Sequence, residues 1–230
     1  MNNLSPQNLA SYIDHTCLKP ETTDQDIKTL CAEAAEHGFA TVCVPPSYIS
    51  LARSLLKNTE VKTITVVGFP LGYSLTDTKI SETKSCIAAG AEEIDMVVNM
   101  GFVKNGSWDL VEKDIAAVVN AAGKIPVKVI LETAALTDVE KKLASECALR
   151  AQALFLKTST GFHAKGGATV DDVKILKSVA GSVMKVKASG GIRTTEDALK
   201  MIEAGASRLG TSNSLAIIGA VKGSQNAKTY

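Results

Sequence analysis

The stretch MKVKASGGIRTTEDALKMIEAGASRLG, residues 184–210, predicts a complete strand–helix–strand unit. The run Met184–Ala188 is typical of a short strand, and Thr194–Asp197 carries the residue types that start a helix. Gly205 stands where this helix should end, and a second strand is predicted over Ser207–Gly210. A strand, a helix and a second strand in this order form the right-handed unit from which parallel sheets are built.

The same alternation recurs along the whole chain. The predicted strands are Tyr12–Thr16, Thr41–Val44, Thr63–Gly68, Glu93–Asn99, Val127–Glu132, Ala153–Lys157, Met184–Ala188 and Ser207–Gly210. The predicted helices are Asp24–His37, Ser81–Ala89, Asp109–Ala122, Asp138–Ala151, Val170–Val179 and Glu196–Ala204. Eight strands in 230 residues favour a closed (β/α)8 TIM barrel with a short N-terminal helix, as one domain over residues 1–230. An open, doubly wound sheet is the alternative, because the number of strands alone does not prove closure.

The balance of charges argues against several classes of partner. The chain has 25 basic and 24 acidic residues, a net charge of +1 and few aromatic residues, so we expect neither nucleic acid nor a membrane as a partner. No apolar run approaches the ~20 residues that span a bilayer, and the first ten residues do not resemble a signal peptide. Five scattered cysteines without Cys-x-x-Cys spacing predict a reduced, cytoplasmic protein without disulfides or a metal site.

Two lysines each close a run that predicts a buried strand. Lys157 ends the sixth strand and Lys187 lies near the end of the seventh, and alternation along the strands turns both toward the barrel interior. Lysine is rarely buried, and two neighbouring ammonium groups should depress each other's pKa. A lysine with a depressed pKa can act as an amine nucleophile, so the pair points to carbonyl chemistry through a Schiff base. The alternative for each lysine is a side chain that reaches solvent.

Alternation also predicts which other polar side chains enter the barrel. The residues predicted to point inward are Asp14, Thr16, Cys43, Asp95 and Lys128. Asp95 is either a counter-ion of the lysines or a proton shuttle. Cys43 is more typical of a packed small residue than of a nucleophile, and His15 is predicted to face outward. The histidines show no metal-ligand spacing.

The turns after the last two strands predict an anion site. Ser189–Arg193 and Gly210–Asn213 are rich in small residues, whose backbone N–H groups can approach a phosphate, and a helix is expected to follow each turn. Gly161, in the turn after the sixth strand, is predicted to extend this site. The residues alone therefore predict an imine-forming barrel enzyme for a phosphorylated carbonyl compound, and they leave its substrate open.

Set side by side, these segments resemble those of the bacterial deoxyribose-phosphate aldolases. The matching segments are Ile13–Thr16, Leu18–Pro20, Val42–Val44, Val67–Gly72, Glu93–Asn99, Val127–Thr133, Phe155–Gly161, Lys187–Arg193 and Gly205–Ser212. They extend over almost the whole chain, and the two lysine motifs in this order and at this separation are highly specific. The resemblance implies a class I aldolase without metal or cofactor that reversibly cleaves 2-deoxy-D-ribose 5-phosphate to D-glyceraldehyde 3-phosphate and acetaldehyde.

The resemblance also implies roles for individual residues. Lys157 is the imine-forming lysine, Lys187 and Asp95 are its proton-relay partners, and Tyr230 is a candidate for proton transfer. The residues predicted to bind the substrate are Thr16, Cys43, Lys128, Thr160, Gly161, Gly190, Gly191, Gly210 and Ser212. The predicted partners are a sugar phosphate and an aldehyde, and the predicted assembly is a homodimer or a higher homo-oligomer.

The chain departs from the family's pattern in three places. Cys17 stands where an aliphatic residue is common, Pro45 stands where asparagine is common, and Tyr73–Lys79 differs from the usual small-polar stretch. We expect Tyr73–Lys79 to lie on a loop at the barrel mouth, where it could alter substrate preference or rate, although the sequence does not give the size of this effect. Two alternative functions are another Schiff-base enzyme, such as a sugar-phosphate aldolase or a transaldolase-like barrel, and a non-catalytic sugar-phosphate sensor.

Overall fold

A closed barrel of eight parallel strands forms the centre of the computed structural model, which describes residues 6–220. Each strand pairs with the next along the chain, and the eighth pairs with the first. The strands are β1 (Ile13–Thr16), β2 (Thr41–Val44), β3 (Lys62–Val67), β4 (Glu93–Val97), β5 (Val127–Ile130), β6 (Phe155–Lys157), β7 (Lys185–Ser189) and β8 (Arg208–Thr211). The fold is therefore the predicted (β/α)8 barrel, and the open doubly wound sheet is wrong.

Helices follow the strands and pack on the outside of the barrel. They are α1 (Pro6–Ala10), α2 (Asp24–His37), α3 (Ile49–Leu55), α4 (Thr76–Ala88), α5 (Met100–Lys104), α6 (Trp108–Ala122), α7 (Asp138–Arg150), α8 (Val170–Ala180), α9 (Thr195–Glu203) and α10 (Ser214–Ile217). Short 3-10 turns lie at Pro46–Tyr48 and Thr133–Ala135. α1 is the predicted short N-terminal helix. Within residues 6–220, no helix has the length and apolar character needed to cross a bilayer.

A threonine paired with an acidic side chain starts three of the predicted helices. Thr23, Thr137 and Thr194 each accept a hydrogen bond from the backbone N–H three residues on, and the acidic side chain at that position accepts one from the backbone N–H of the threonine. This reciprocal capping box satisfies two backbone donors that a helix start leaves without partners. α2 also ends as predicted, because Gly38 adopts the left-handed conformation with a φ of 66°.

The predicted bounds are wrong where the local signal is weak. α4 begins at Thr76 rather than Ser81, and Leu75 before it offers no capping side chain. β4 ends at Val97, because the side chain of Asn99 accepts a backbone hydrogen bond and starts α5. The short helices α3, α5 and α10 were not predicted, since one or two turns are too short to show an amphipathic pattern.

The two faces of the barrel wall differ in polarity. Outer side chains such as Val42 and Ile94 are fully buried beneath the helices and belong to the main hydrophobic core. The inner face holds a separate apolar cluster of Cys43, Ile64 and Val66. Buried charged side chains from β1, β4, β5, β6 and β7 occupy the rest of the interior. The fold thus brings ionisable groups from distant parts of the chain into one enclosed space.

A buried ion pair between α4 and α6 supports the barrel from outside. Lys79 is fully buried, and its Nζ donates to Oδ2 of Asp114 at 2.6 Å and to the backbone oxygen of Val97 at 3.0 Å. Thr76 Oγ1 donates to the other oxygen of Asp114 at 2.8 Å. These bonds join two helices to the end of β4, the strand that carries Asp95.

We expect Asp114→Ala to lower the free energy of unfolding by about 3–5 kcal/mol, because it leaves the Lys79 ammonium buried without a carboxylate. The double variant Lys79→Met with Asp114→Leu should recover most of this loss, since it removes both desolvated charges. Urea denaturation measures both effects. Glu196 pairs with Lys200 on an exposed helix face, and Glu196→Ala is a control that should change stability by less than about 0.5 kcal/mol. Equal losses in the single and the double variant would contradict a role based on charge.

Candidate active site

Lys157, Lys187 and Asp95 meet inside the barrel. Lys157 on β6 and Lys187 on β7 are register partners, and both are almost fully buried. Nζ of Lys157 donates to Oδ2 of Asp95 at 2.8 Å, and Nζ of Lys187 donates to the same oxygen at 2.7 Å. The two lysines therefore share one carboxylate oxygen.

Lys128 is the third ammonium group around Asp95. Its Nζ donates to Oδ1 of Asp95 at 2.9 Å, and it forms an ion pair with Glu93. The ring of Phe155 packs against this group, with its centroid 5.5 Å from Lys128 Nζ. The two oxygens of Asp95 thus accept hydrogen bonds from three buried lysines.

Asp14 on β1 is a second carboxylate for Lys187. It forms an ion pair with Lys187, and its Oδ1 accepts a hydrogen bond from Nη1 of Arg208 at 2.7 Å. The whole network holds four cations and three carboxylates: Lys128, Lys157, Lys187 and Arg208 against Asp14, Glu93 and Asp95. Among residues 6–220, Lys157 has Asp95 as its one carboxylate partner, and it is therefore the least compensated amine of the network.

The surroundings of the two lysines move their pKa values in opposite directions. Burial lowers the pKa of Lys157, Asp95 raises it and the charge of Lys187 lowers it, so the pKa lies below the ordinary 10.5. Burial also lowers the pKa of Lys187, but Asp14 and Asp95 outweigh burial and raise it above 10.5. The prediction that the lysines depress each other's pKa is therefore confirmed for Lys157 and wrong for Lys187.

Asp95 stays ionised in this network. Burial by itself would raise the pKa of its carboxyl, but Lys128, Lys157 and Lys187 together hold this pKa well below its usual range. An ionised Asp95 can accept a hydrogen bond from each of the three ammonium groups. Asp95 is therefore the counter-ion of the lysines, and its part in proton transfer stays a prediction.

A cavity opens above Lys157, between the loops that follow β6, β7 and β8. The predicted residues that line it are Thr16, Lys157, Thr160, Gly161, Gly190, Gly191, Gly210 and Ser212. Leu18, Phe162 and Arg193 line it too, although they are not among the predicted substrate-binding residues. Leu18 and Arg193 fall within the quoted motifs, whereas no sequence signal marks Phe162. The predicted anion site and the amine of Lys157 therefore share one space.

Two glycines stand at positions beside the cavity that favour the absence of a side chain. A Cβ atom at Gly210 would lie 2.4 Å from Oγ of Ser189 and 2.9 Å from Cε of Lys187, so no other residue fits without displacing that lysine. Gly190 has a φ of 81°, in the left-handed region that favours glycine. Gly210 is therefore required by its close approach to Lys187, and Gly190 is favoured by its backbone conformation.

Lys128 and Cys43 lie behind the cavity wall. Both are fully buried, and neither is among the residues that line the cavity. Lys128 is held by two carboxylates, and Cys43 packs against Ile64 and Val66. Burial raises the pKa of the Cys43 thiol to about 11, so the thiol is protonated at neutral pH. Their predicted contact with the substrate therefore stays a prediction.

Glu132 is a buried residue of the site that the predicted set lacks. It has a φ of 56°, which is uncommon outside glycine, and its carboxylate accepts hydrogen bonds from the backbone N–H and the hydroxyl of Thr160. Thr160 Oγ1 in turn accepts a hydrogen bond from the N–H of Phe162 at 3.0 Å. Glu132 therefore fixes the loop that carries Gly161. Alternation along the predicted fifth strand places Glu132 inside, and that signal could have found it.

Two predictions concern the edges of the site. Tyr230 lies outside the residues that the structure describes. Tyr73–Lys79 is not one loop, because Thr76 starts α4 and Lys79 is buried in an ion pair. Tyr73 and Leu75 are exposed, at 70% and 78%. Any effect of this segment on substrate preference therefore rests on a shorter loop that ends at Leu75.

Residues 6–220 contain neither a disulfide nor a cluster of metal ligands. No group of three or more His, Cys, Asp or Glu side chains within residues 6–220 is placed to hold a metal ion. The five cysteines are free thiols. The charges of the site are compensated by the ion pairs of the network.

Known proteins align with most of this chain. A model of the DeoC/LacD family aldolases matches residues 9–225. The deoxyribose-phosphate aldolase of Bdellovibrio bacteriovorus is 55% identical over 217 residues, which cover 94% of this chain and 98% of the relative. The deoxyribose-phosphate aldolase of Desulfitobacterium hafniense is 53% identical, over 92% of this chain and 97% of the relative.

A solved structure shares both the fold and part of the sequence. It is a deoxyribose phosphate aldolase from Aeropyrum pernix, described as a unique tetrameric structure. It superposes with a TM-score of 0.87 and 35% sequence identity, over 94% of this chain and 91% of that chain. Since the family model and relatives at this identity cover almost the whole chain, the protein belongs to the DeoC/LacD family of aldolases.

Proposed function

We propose that the protein is a class I aldolase that reversibly cleaves 2-deoxy-D-ribose 5-phosphate to D-glyceraldehyde 3-phosphate and acetaldehyde, in the catabolism of deoxyribose phosphates. The observation that carries this proposal is the pair of buried lysines with opposite pKa shifts beside the cavity. Imine formation needs one lysine that is readily a free amine and an acid close to it. The activity named for the bacterial relatives supports the same reaction.

Lys157 is the nucleophile of the proposed reaction. Its amine attacks the aldehyde carbon C1 of the open-chain sugar, and loss of water gives a protonated imine. Lys187 supplies the proton that the departing hydroxyl takes, because its raised pKa keeps it charged. The imine then accepts the electron pair of the C2–C3 bond.

Cleavage of the C2–C3 bond requires removal of the proton from the C3 hydroxyl. Asp95 is ionised and takes this proton through a water, while its lysine partners hold the carboxylate in place. Glyceraldehyde 3-phosphate leaves, and the electron pair forms an enamine. Protonation at C2 and hydrolysis of the imine release acetaldehyde and restore Lys157. The part of Tyr230 in the proton transfer stays a prediction.

The phosphate group is proposed to bind at the loops after β7 and β8. Gly190, Gly191, Gly210 and Ser212 line the cavity on this side, and backbone N–H groups of small residues can approach an anion closely. A phosphate held there would orient the sugar against Lys157 without taking part in bond breaking. The further proposed contacts of the sugar are Thr16, Thr160 and Gly161.

The proposed setting is a cytoplasmic enzyme whose partners are small molecules. The near-balance of charges supports the absence of nucleic-acid and membrane partners. The proposed chemistry uses side chains of the chain itself and needs no cofactor. The proposed assembly is a homodimer or a higher homo-oligomer of one barrel domain, residues 1–230, and a tetramer is stated for the relative from Aeropyrum pernix.

Purified protein incubated with 2-deoxyribose 5-phosphate should release acetaldehyde, because protonation of the enamine at C2 and hydrolysis of the imine give this product. A coupled alcohol dehydrogenase measures the release as oxidation of NADH. Turnover of a ketose phosphate, with none of the deoxy sugar, would instead identify another Schiff-base aldolase. Binding of the sugar phosphate without turnover would identify a sensor.

Borohydride added together with acetaldehyde should reduce the imine and attach one ethyl group to Lys157. Peptide mass spectrometry locates the adduct. Lys157→Met should abolish the adduct and lower turnover at least about a thousandfold, since the covalent step has no substitute. Lys185→Met is the matched control, because Lys185 lies on β7 and is exposed, and it should leave adduct and turnover unchanged. An adduct on any lysine other than Lys157 would sink the assignment.

Charge changes around Lys157 should move its pKa in opposite directions. Lys187 lowers the pKa of Lys157 and Asp95 raises it, so Lys187→Met should raise this pKa and Asp95→Asn should lower it. The rate of imine trapping rises with pH as the amine loses its proton. Its midpoint should therefore move to higher pH in Lys187→Met and to lower pH in Asp95→Asn. Turnover should fall about a hundredfold or more in both variants, because each also loses a proton-transfer group. Midpoints that stay at the wild-type pH would contradict activation by neighbouring charge.

A further inference from the structure

Outside the catalytic network, His15 links α2 to a loop of the cavity. His15 lies on β1, in register with Thr211 of β8, and faces the helices, as predicted. Its Nε2 lies 2.8 Å from Oε2 of Glu33 on α2, and its Nδ1 lies 2.8 Å from Oγ of Ser214, the first residue of α10. His15 is 4% exposed and Ser214 is fully buried.

The direction of these hydrogen bonds follows from the chemistry of the partners. An ionised Glu33 can only accept, so Nε2 of His15 carries a hydrogen and donates it. In the neutral ring Nδ1 is then an acceptor, and the hydroxyl of Ser214, which also lies 3.4 Å from the backbone oxygen of Thr211, donates to it. Carboxylate, imidazole and hydroxyl in this order also occur in hydrolytic triads, but a fully buried Ser214 cannot meet a substrate. The chain of bonds therefore holds Ser214 in place.

Ser214 comes directly after a loop on the side of the cavity where the phosphate is proposed to bind. Thr211, Ser212 and Asn213 all line the cavity. Oγ1 of Thr211 accepts a hydrogen bond from the N–H of Asn213 at 2.9 Å and donates one to the backbone oxygen of Ile192 at 2.8 Å. Ile192 belongs to the loop after β7, which lines the same cavity. A fixed Ser214 thus holds the end of one loop, and that loop is bonded to the other.

We propose that His15 and Ser214 are positioning residues for recognition of the substrate's phosphate group, an inference that rests on the phosphate site of the proposed function. Neither side chain touches the substrate. Both act through the backbone of Ser212 and Asn213, which must be held in place to meet an anion. Loss of the bond between them leaves Nδ1 of His15 buried without a partner and frees the loop to shift. The lysine network lies on the opposite face of β1, through Asp14, and keeps its bonds.

Ser214→Ala tests the proposal with two sugars. The readout is the ratio of kcat/KM for 2-deoxyribose 5-phosphate to kcat/KM for 2-deoxyribose, which isolates the contribution of the phosphate. We expect the ratio to fall about tenfold, mainly through KM for the phosphorylated sugar, since a small displacement of a binding group is costly. Ser178→Ala makes the same change on an exposed face of α8 and should leave the ratio at the wild-type value.

Two amide replacements of His15 test its hydrogen bonds to Ser214 and to Glu33 separately. Asparagine places an amide oxygen near the position of Nδ1, whereas glutamine places its amide near the position of Nε2. His15→Asn should therefore keep the bond to Ser214 and most of the ratio, and His15→Gln should lower the ratio as Ser214→Ala does. A parallel loss of turnover with both sugars, or an unchanged ratio in Ser214→Ala, would overturn the proposal.

Inorganic phosphate gives a readout that does not depend on the reaction. A ligand that binds the folded state raises Tm. We expect phosphate to raise the Tm of the wild-type protein and of Ser178→Ala by similar amounts, and that of Ser214→Ala by less. If the wild-type protein releases no acetaldehyde, the proposed function fails, while this difference in Tm still decides the positioning role. Equal shifts in all three proteins would overturn that role.

Discussion

The carboxylate of Asp95 is the constraint on which the active site depends. A buried carboxylate is costly by itself, and so is each buried ammonium, so the charges inside the barrel are stable only as a set. Asp95 accepts hydrogen bonds from lysines on β5, β6 and β7, the three strands that follow its own. The wall of the barrel on this side is therefore held to one geometry by its electrostatics as well as by its backbone hydrogen bonds.

The chemistry follows from the different numbers of carboxylate partners that the three lysines have. The other two lysines each have a second acidic partner, whereas Lys157 depends on Asp95 alone among residues 6–220. At an effective dielectric constant of about 20, a carboxylate ~3 Å from an ammonium is worth on the order of 5 kcal/mol, so one missing partner outweighs most other differences between two buried lysines. Lys187, which has Asp14, remains an acid, and Lys157 becomes the amine that loses its proton more readily.

The sequence predicted the inner face of the barrel well, because side chains alternate strictly along each strand. That rule alone placed Lys157, Lys187 and Asp95 in one interior. It could not give the different pKa shifts of the lysines, because these depend on the contact between Asp14 on β1 and Lys187 on β7. Strand β8 lies between these two strands, so the contact exists only after the barrel closes. Loop residues such as Phe162 were missed because no periodic pattern marks them, and their place depends on bonds made by other loops.

Strand β1 shows how one alternating pattern can serve two purposes. Asp14 points inward to Lys187, and the next residue, His15, points outward to Glu33 and Ser214. On one face of the strand, Asp14 keeps Lys187 charged. On the other face, His15 holds Ser214 at the end of the cavity loop after β8. A register slip of one residue would exchange the two side chains and place an imidazole against a buried ammonium. The pairing of β1 with β8 is thus specified from both faces, and the proposed chemistry and the proposed phosphate recognition depend on the same backbone register.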